Sequence, residues 1–121
     1  MKKITTLVLV GIAVAAMAIN TSISWEATSI DLGEVKSGES VDLSFNFTNT
    51  SDAAIQITNA KGSCGCTNVQ YPQTSIGPGE QAAITATFNS SKAGVFKKNI
   101  RITTSISEEP TYLYFSGEVV N

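Results

Sequence analysis

Apolar and polar residues alternate along most of this chain with a period of two. Val41, Leu43, Phe45 and Phe47 share one face of an extended segment, and Asp42, Ser44, Asn46 and Thr48 share the other. Ala82, Ile84, Ala86 and Phe88 repeat the pattern against Gln81, Ala83, Thr85 and Thr87. Phe96, Ile100 and Ile102 mark one inward face. Leu113, Phe115, Gly117 and Val119 mark another, with Tyr112, Tyr114 and Glu118 turned outward. Shorter strands are expected over residues 23–27 and 29–35, at Ile55 and Ile57, and at Val69 and Tyr71 before Pro72. No stretch after the N-terminal segment has a helical apolar period with caps. Lys98 holds an inward position in its strand, so its ammonium is expected near an open end of the fold, where it reaches water.

The breaks between these segments have turn chemistry, and Asn49-Thr50-Ser51-Asp52 is read as a polar turn cluster. In Gly77-Pro78-Gly79-Glu80, proline presets φ for the second position and glycine supplies positive φ at the third, which is a type II turn. Gly38-Glu39 precedes the strand of Phe45 as Gly79-Glu80 precedes that of Phe88, at an offset of 41 residues with all four apolar positions aligned. The echo predicts two equivalent strands lying side by side in one sheet. Glu108-Glu109-Pro110 reads as a solvated hairpin turn, and Lys97 and Arg101, both outward on one strand, read as charges protecting a sheet edge.

Seven to eight short strands in about 100 residues predict an all-β, immunoglobulin-like sandwich. Its core is expected from Trp25, Phe45, Phe47, Ile57, Ile84, Phe88, Phe96, Ile100, Ile102, Leu113 and Phe115. The two cysteines, Cys64 and Cys66, are too close in sequence to bridge two sheets. Packing must therefore hold the domain.

The first residues belong to a different class. Lys2 and Lys3 precede the apolar run 7–15, and Ala16-Met17-Ala18 forms a small-x-small cleavage site, the pattern of a secretory signal peptide. The expected organisation is a cleaved signal at 1–18 and a single domain at 19–121, exported to the periplasm or cell surface with no membrane insertion after cleavage. That domain has six cations against ten carboxylates, a net −4, which argues against a nucleic-acid surface. It contains neither His nor Met.

The motifs Phe45-x-Phe47-x-Asn49-Thr50-Ser51-Asp52, Ser63-Cys64-Gly65-Cys66-Thr67, Tyr71-Pro72, Ile76-x-Pro78-Gly79-Glu80, Phe88-Asn89 and Gly94-x-Phe96-x-Lys98-x-Ile100 resemble the bacterial domain of unknown function (DUF) family 1573. The resemblance runs from about Trp25 to Val120. It implies an immunoglobulin-like fold related to major sperm protein and Hydin-type modules, and an exported compartment. It implies no reaction.

Cys64-Gly65-Cys66 is the one candidate for chemistry, and three readings stand. In an oxidising compartment the pair forms a disulfide or packs as thiols. Residues i and i+2 of a regular strand lie about 6.6 Å apart, so closure requires a bend, which Gly65 is expected to permit. A redox dithiol needs a stabilised thiolate, and Lys61 is the only cation close in sequence. Cu(I) suits two soft sulfurs, although the domain adds no His or Met ligand. Zinc lacks a four-ligand set. Catalytic constellations are absent from the sequence, and no resident cofactor is expected. The expected function is a non-enzymatic binding or scaffolding module for protein partners at the cell envelope. The alternative is a small Cu(I)-binding or thiol-redox protein working through Cys64 and Cys66.

Overall fold

The computed structural model describes residues 22–121. The expected signal peptide and its cleavage site lie outside the described residues. Eight strands follow in order: β1 (Ile23–Trp25), β2 (Ser29–Lys36), β3 (Ser40–Asn49), β4 (Ile57–Gly62), β5 (Thr67–Gln70), β6 (Gln81–Asn89), β7 (Gly94–Thr104) and β8 (Ser107–Val120). They form two four-stranded sheets, ordered β1-β3-β6-β5 and β2-β8-β7-β4. The fold is the expected all-β immunoglobulin-like sandwich. The opening segment is divided between the sheets, since β1 runs antiparallel to β3 while β2 runs parallel to β8.

The sequence echo corresponds to a strand pair. β3 and β6 are antiparallel neighbours, with Phe45 opposite Ile84 and Leu43 opposite Ala86. Gly38 and Gly79 enter them at φ 81° and 77°. Glu39 N bonds Lys36 O at 3.1 Å and Glu80 N bonds Gly77 O at 3.0 Å, which closes a type II turn in each case.

Inward residues of both sheets make one core containing Phe45, Phe47, Ile84, Phe88, Phe96, Ile100, Ile102, Leu113 and Phe115. The Phe88 ring lies 4.5 Å from that of Phe96 and 5.4 Å from that of Phe115. Trp25 is only half-buried and its ring lies 4.8 Å from that of Phe47, tilted by 45°, at the margin of the core, because β1 is an edge strand of three residues. Ile55 and Ile76, outside any long strand, are buried as an isolated antiparallel bridge. Gly117 faces Phe96 across the β7–β8 ladder, beside a bulge in β2 between Asp31 and Glu34. A Cβ at Gly117 would come 2.6 Å from Gly33 O and 2.9 Å from Phe96 Cζ, so the close approach of three strands requires glycine here.

Two local readings change. The β7–β8 hairpin turns at Ser105-Ile106, and Glu108, Glu109 and Pro110 already belong to β8. The β7–β8 register shifts between Ile102 and Thr104, where Pro110 has no N–H for the ladder. Arg101 protects no edge, because β4 and β8 flank β7 there, whereas Lys97 lies beyond the end of β4.

Candidate functional site

The cysteines occupy the corner where the chain leaves one sheet for the other. β4 is an edge of the second sheet and β5 an edge of the first, and residues 63–66 make the crossing. Backbone bonds pin the corner on both sides. Ser63 N donates to Asn99 O at 2.8 Å, and Asn89 N donates to Cys66 O at 3.1 Å. Within this bend Cys64 and Cys66 are joined by a disulfide, with their Cα atoms 5.3 Å apart, closer than a regular strand allows. Thr67 N donates to Cys64 O at 3.3 Å. The Thr67 hydroxyl lies 3.4 Å from Cys64 Sγ. A bonded sulfur has no proton, so the hydroxyl is the donor.

Gly65 plays a different part from the one expected. Its φ is negative, and a Cβ built on it would meet no heavy atom within 4 Å. The bend therefore needs glycine neither for positive φ nor for space. The exposed Gly65 instead leaves the solvent side of the half-buried disulfide uncovered.

The cation environment also differs from the sequence expectation. Lys98, far from the cysteines in sequence, lines the same shallow pocket of about 250 Å³ as Cys66, together with Phe88, Phe96 and Lys92. It holds an inward register opposite Phe115 and is half-buried at this open end of the sandwich. Among the described residues, no three His, Cys, Asp or Glu side chains gather as a metal cluster. Any thiophilic metal would have to be held by the two sulfurs after reduction.

The opposite end of the sandwich is closed by Asn49, which is completely buried. Its amide Nδ2 donates to Ala53 O at 2.8 Å and to Ile76 O at 2.9 Å. Its Oδ1 accepts from Ser51 N at 3.0 Å and Ser51 Oγ at 2.6 Å. The backbone adds Asn49 N to Glu80 O and Gly79 N to Asn49 O. Sequence reasoning placed Asn49 in a polar turn. The missed signal was its parity, since it takes the next inward position after Leu43, Phe45 and Phe47.

A third feature lies on the free side of β3. Only Phe47–Asn49 of this ten-residue strand pair with β1, and one further bond runs from Glu26 N to Asn46 O at 2.9 Å. That bond fixes the parity: the peptide groups of Asp42 and Ser44 point the same way as Asn46, past the end of β1 and into the open.

Together these features define a two-sheet immunoglobulin-like module with a divided first strand, a clipped inter-sheet corner and a partly open edge at β3. The chain belongs to the family described as protein of unknown function (DUF1573), whose model matches residues 23–119. No curated protein is similar to it. Among solved structures it is similar to PapD-like domain 7 of human CEP192, at 10% identity and TM-score 0.65 over 84% of this chain and 87% of that one. It is also similar to WR4, a major sperm protein family member of C. elegans, at 12% identity and TM-score 0.52 over 82% of this chain and 98% of that one. The secreted serine protease VesC of Vibrio cholerae is similar at 17% identity and TM-score 0.66 over 83% of this chain. The match spans only 23% of VesC. At these identities the likeness is one of fold.

Proposed function

We propose that this chain is an exported, non-enzymatic binding module that holds protein partners at the cell envelope by accepting their extended segments along the open edge of β3. The supporting observation is the unpaired stretch at Asp42 and Ser44, where successive outward N–H and C=O groups offer a ready ladder for an added strand. Three other edges are blunted. β5 has four residues and is soon followed by Pro72, β2 is broken by its bulge, and β4 has a register shift and Lys61. The exposed part of β3 has no proline, no lysine and no bulge.

The test begins with protein purified from the exported fraction, whose first residue should be Ile19. An intact Met1 would remove the export step. A random peptide library displayed on phage is then selected against this protein, and hydrogen exchange is followed by NMR with synthetic copies of the selected peptides. Slowed exchange at the Asp42 and Ser44 amides supports the reading. Selected peptides that protect other amides, or no selected peptide at all, overturn it.

The thiol alternative keeps one favourable observation, the placement of Lys98 in the pocket of Cys66, where a cation would stabilise a thiolate after reduction. Counting free thiols in the exported protein and titrating Cu(I) against a competing chelator separates the two readings. A closed disulfide without metal uptake supports the binding module, whereas stoichiometric copper at Cys64 and Cys66 supports the alternative.

A further inference from the structure

The outer face of the second sheet carries a concentration of cations that the acidic balance of the whole chain conceals. Lys61 of β4 is the register partner of Arg101 of β7, which is in turn the partner of Tyr112 of β8. All three are exposed, and all point away from the core, because the adjacent Ala60–Ile102 pair points inward. One row further along the strands, Asn99 faces Tyr114, and Lys97 stands beyond Asn99 on β7. Tyr112 and Tyr114 are 42% and 39% exposed, a large apolar area for residues in the middle of a sheet face.

Three physical points make this more than a solvated surface. Like charges directly opposite each other on neighbouring strands repel and destabilise the pair, yet Lys61 and Arg101 hold that arrangement. Among the described residues, neither forms an ion pair with a carboxylate. Protection of an edge does not account for Arg101, whose strand is flanked there by both β4 and β8. Asp31, Glu34 and Glu118, negative groups of this sheet, lie away from the cluster, toward β2 and the far end of β8.

We infer that this face is a binding site for an acidic polysaccharide, with Tyr112 and Tyr114 as stacking platforms for sugar rings and Lys61, Arg101 and Lys97 as the groups that read its anionic substituents. An anion seated between Lys61 and Arg101 relieves their mutual repulsion, and the guanidinium fork of Arg101 matches a carboxylate or sulfate in two directions. The flat geometry favours a glycan over a peptide. At Arg101, the centre of the cluster, the backbone of β7 is already committed to β4 on one side and β8 on the other, so an extended peptide finds no main-chain partners there. Sugar rings need only exposed ring faces and side-chain donors. The site is independent of the β3 edge, which lies on the other sheet.

Affinity electrophoresis of the exported protein tests the inference, using native gels containing polygalacturonate, dextran sulfate, neutral dextran or poly-L-glutamate. Retardation is expected with at least one acidic glycan and not with neutral dextran. A response to one acidic glycan alone identifies the substituent as carboxylate or sulfate, and both results support the site. Lys61→Gln and Arg101→Gln should each weaken retention at least ~5-fold, and Tyr112→Ser with Tyr114→Ser at least ~10-fold, the change set by losing about one charged hydrogen bond or one stacked ring. Tyr112→Phe should restore most of the retention, and Thr85→Ala on the opposite outer face should leave it unchanged. These side chains are all exposed, so circular dichroism should show an intact fold in every variant. Absence of retardation by both acidic glycans overturns the inference. Equal retention by poly-L-glutamate, indifferent to the tyrosine substitutions, also overturns it by reassigning the face to acidic peptides.

Discussion

The two ends of the sandwich are closed by opposite means. At one end a neutral amide is buried completely and joins the end of β3 to residues 51–53, to Ile76 and to the Gly79-Glu80 turn. At the other end a covalent bond links two residues only one apart from adjacency, in a half-buried bend whose shallow pocket is also lined by Lys98. Bond strength does not rank them. A crosslink stabilises by excluding unfolded conformations, and a ring this small excludes few. Asn49 ties segments up to 31 residues apart, and each of its polar atoms has been removed from water. The hydrogen-bonded end should therefore carry more of the stability than the covalent one.

The sharpest way to break this comparison is Asn49→Ala. It leaves the carbonyls of Ala53 and Ile76 without their donor and Ser51 without its acceptor. The expected loss is about 3 kcal/mol in urea unfolding. Asn49→Asp should be equally damaging despite its shape, since a buried carboxylate would face the same two carbonyls with no proton to donate. A loss below about 1 kcal/mol for both variants would mean that the end is held by the backbone turn alone.

At the cysteine end the vulnerable point is the packing beneath Phe96. Gly117→Ala inserts a methyl group against Gly33 O and the Phe96 ring, and one of the three strands must shift. Overpacking of this kind costs roughly 1–3 kcal/mol. Thermal unfolding should show the loss, and Phe96→Leu in the same chain should recover part of it by making room. Failure of that rescue would place the strain at Gly33 rather than at the ring.

What the sequence disclosed follows the same division. Alternation made β3, β6, β7 and β8 legible because each buries one face, and the glycine turns set the pairing of β3 with β6. Lys98 was recognised as inward by parity, but its proximity to Cys66 depends on the crossing of two sheets, which no local pattern encodes. Asn49 was misread because Asn-Thr-Ser-Asp is turn chemistry, and its burial depends on partners as distant as Ile76. Ile76 itself, alone between Ser75 and Gly77, had no alternation to reveal it. Arg101 looked like edge protection because strand order within a sheet cannot be read from one strand. Local periodicity reports faces; it does not report neighbours.

The smallest effect should come from the bond that looks most structural. In Cys64→Ala with Cys66→Ala, or in the wild-type protein unfolded under reducing conditions, the expected stability loss is about 1 kcal/mol or less. The corner keeps its backbone anchors at Ser63 and Asn89 without the sulfurs, and Gly65 needs no rescue at its negative φ. What should change is local: hydrogen exchange at Thr67 should quicken while amides of β3 and β6 keep their protection. If removal of the pair costs more than about 2 kcal/mol, the clip is holding the two sheets together, and the ranking of the two ends is reversed. If it costs almost nothing, persistence of a half-exposed disulfide at this corner is a matter of chemistry with other thiols, and Lys98 becomes the residue to remove next.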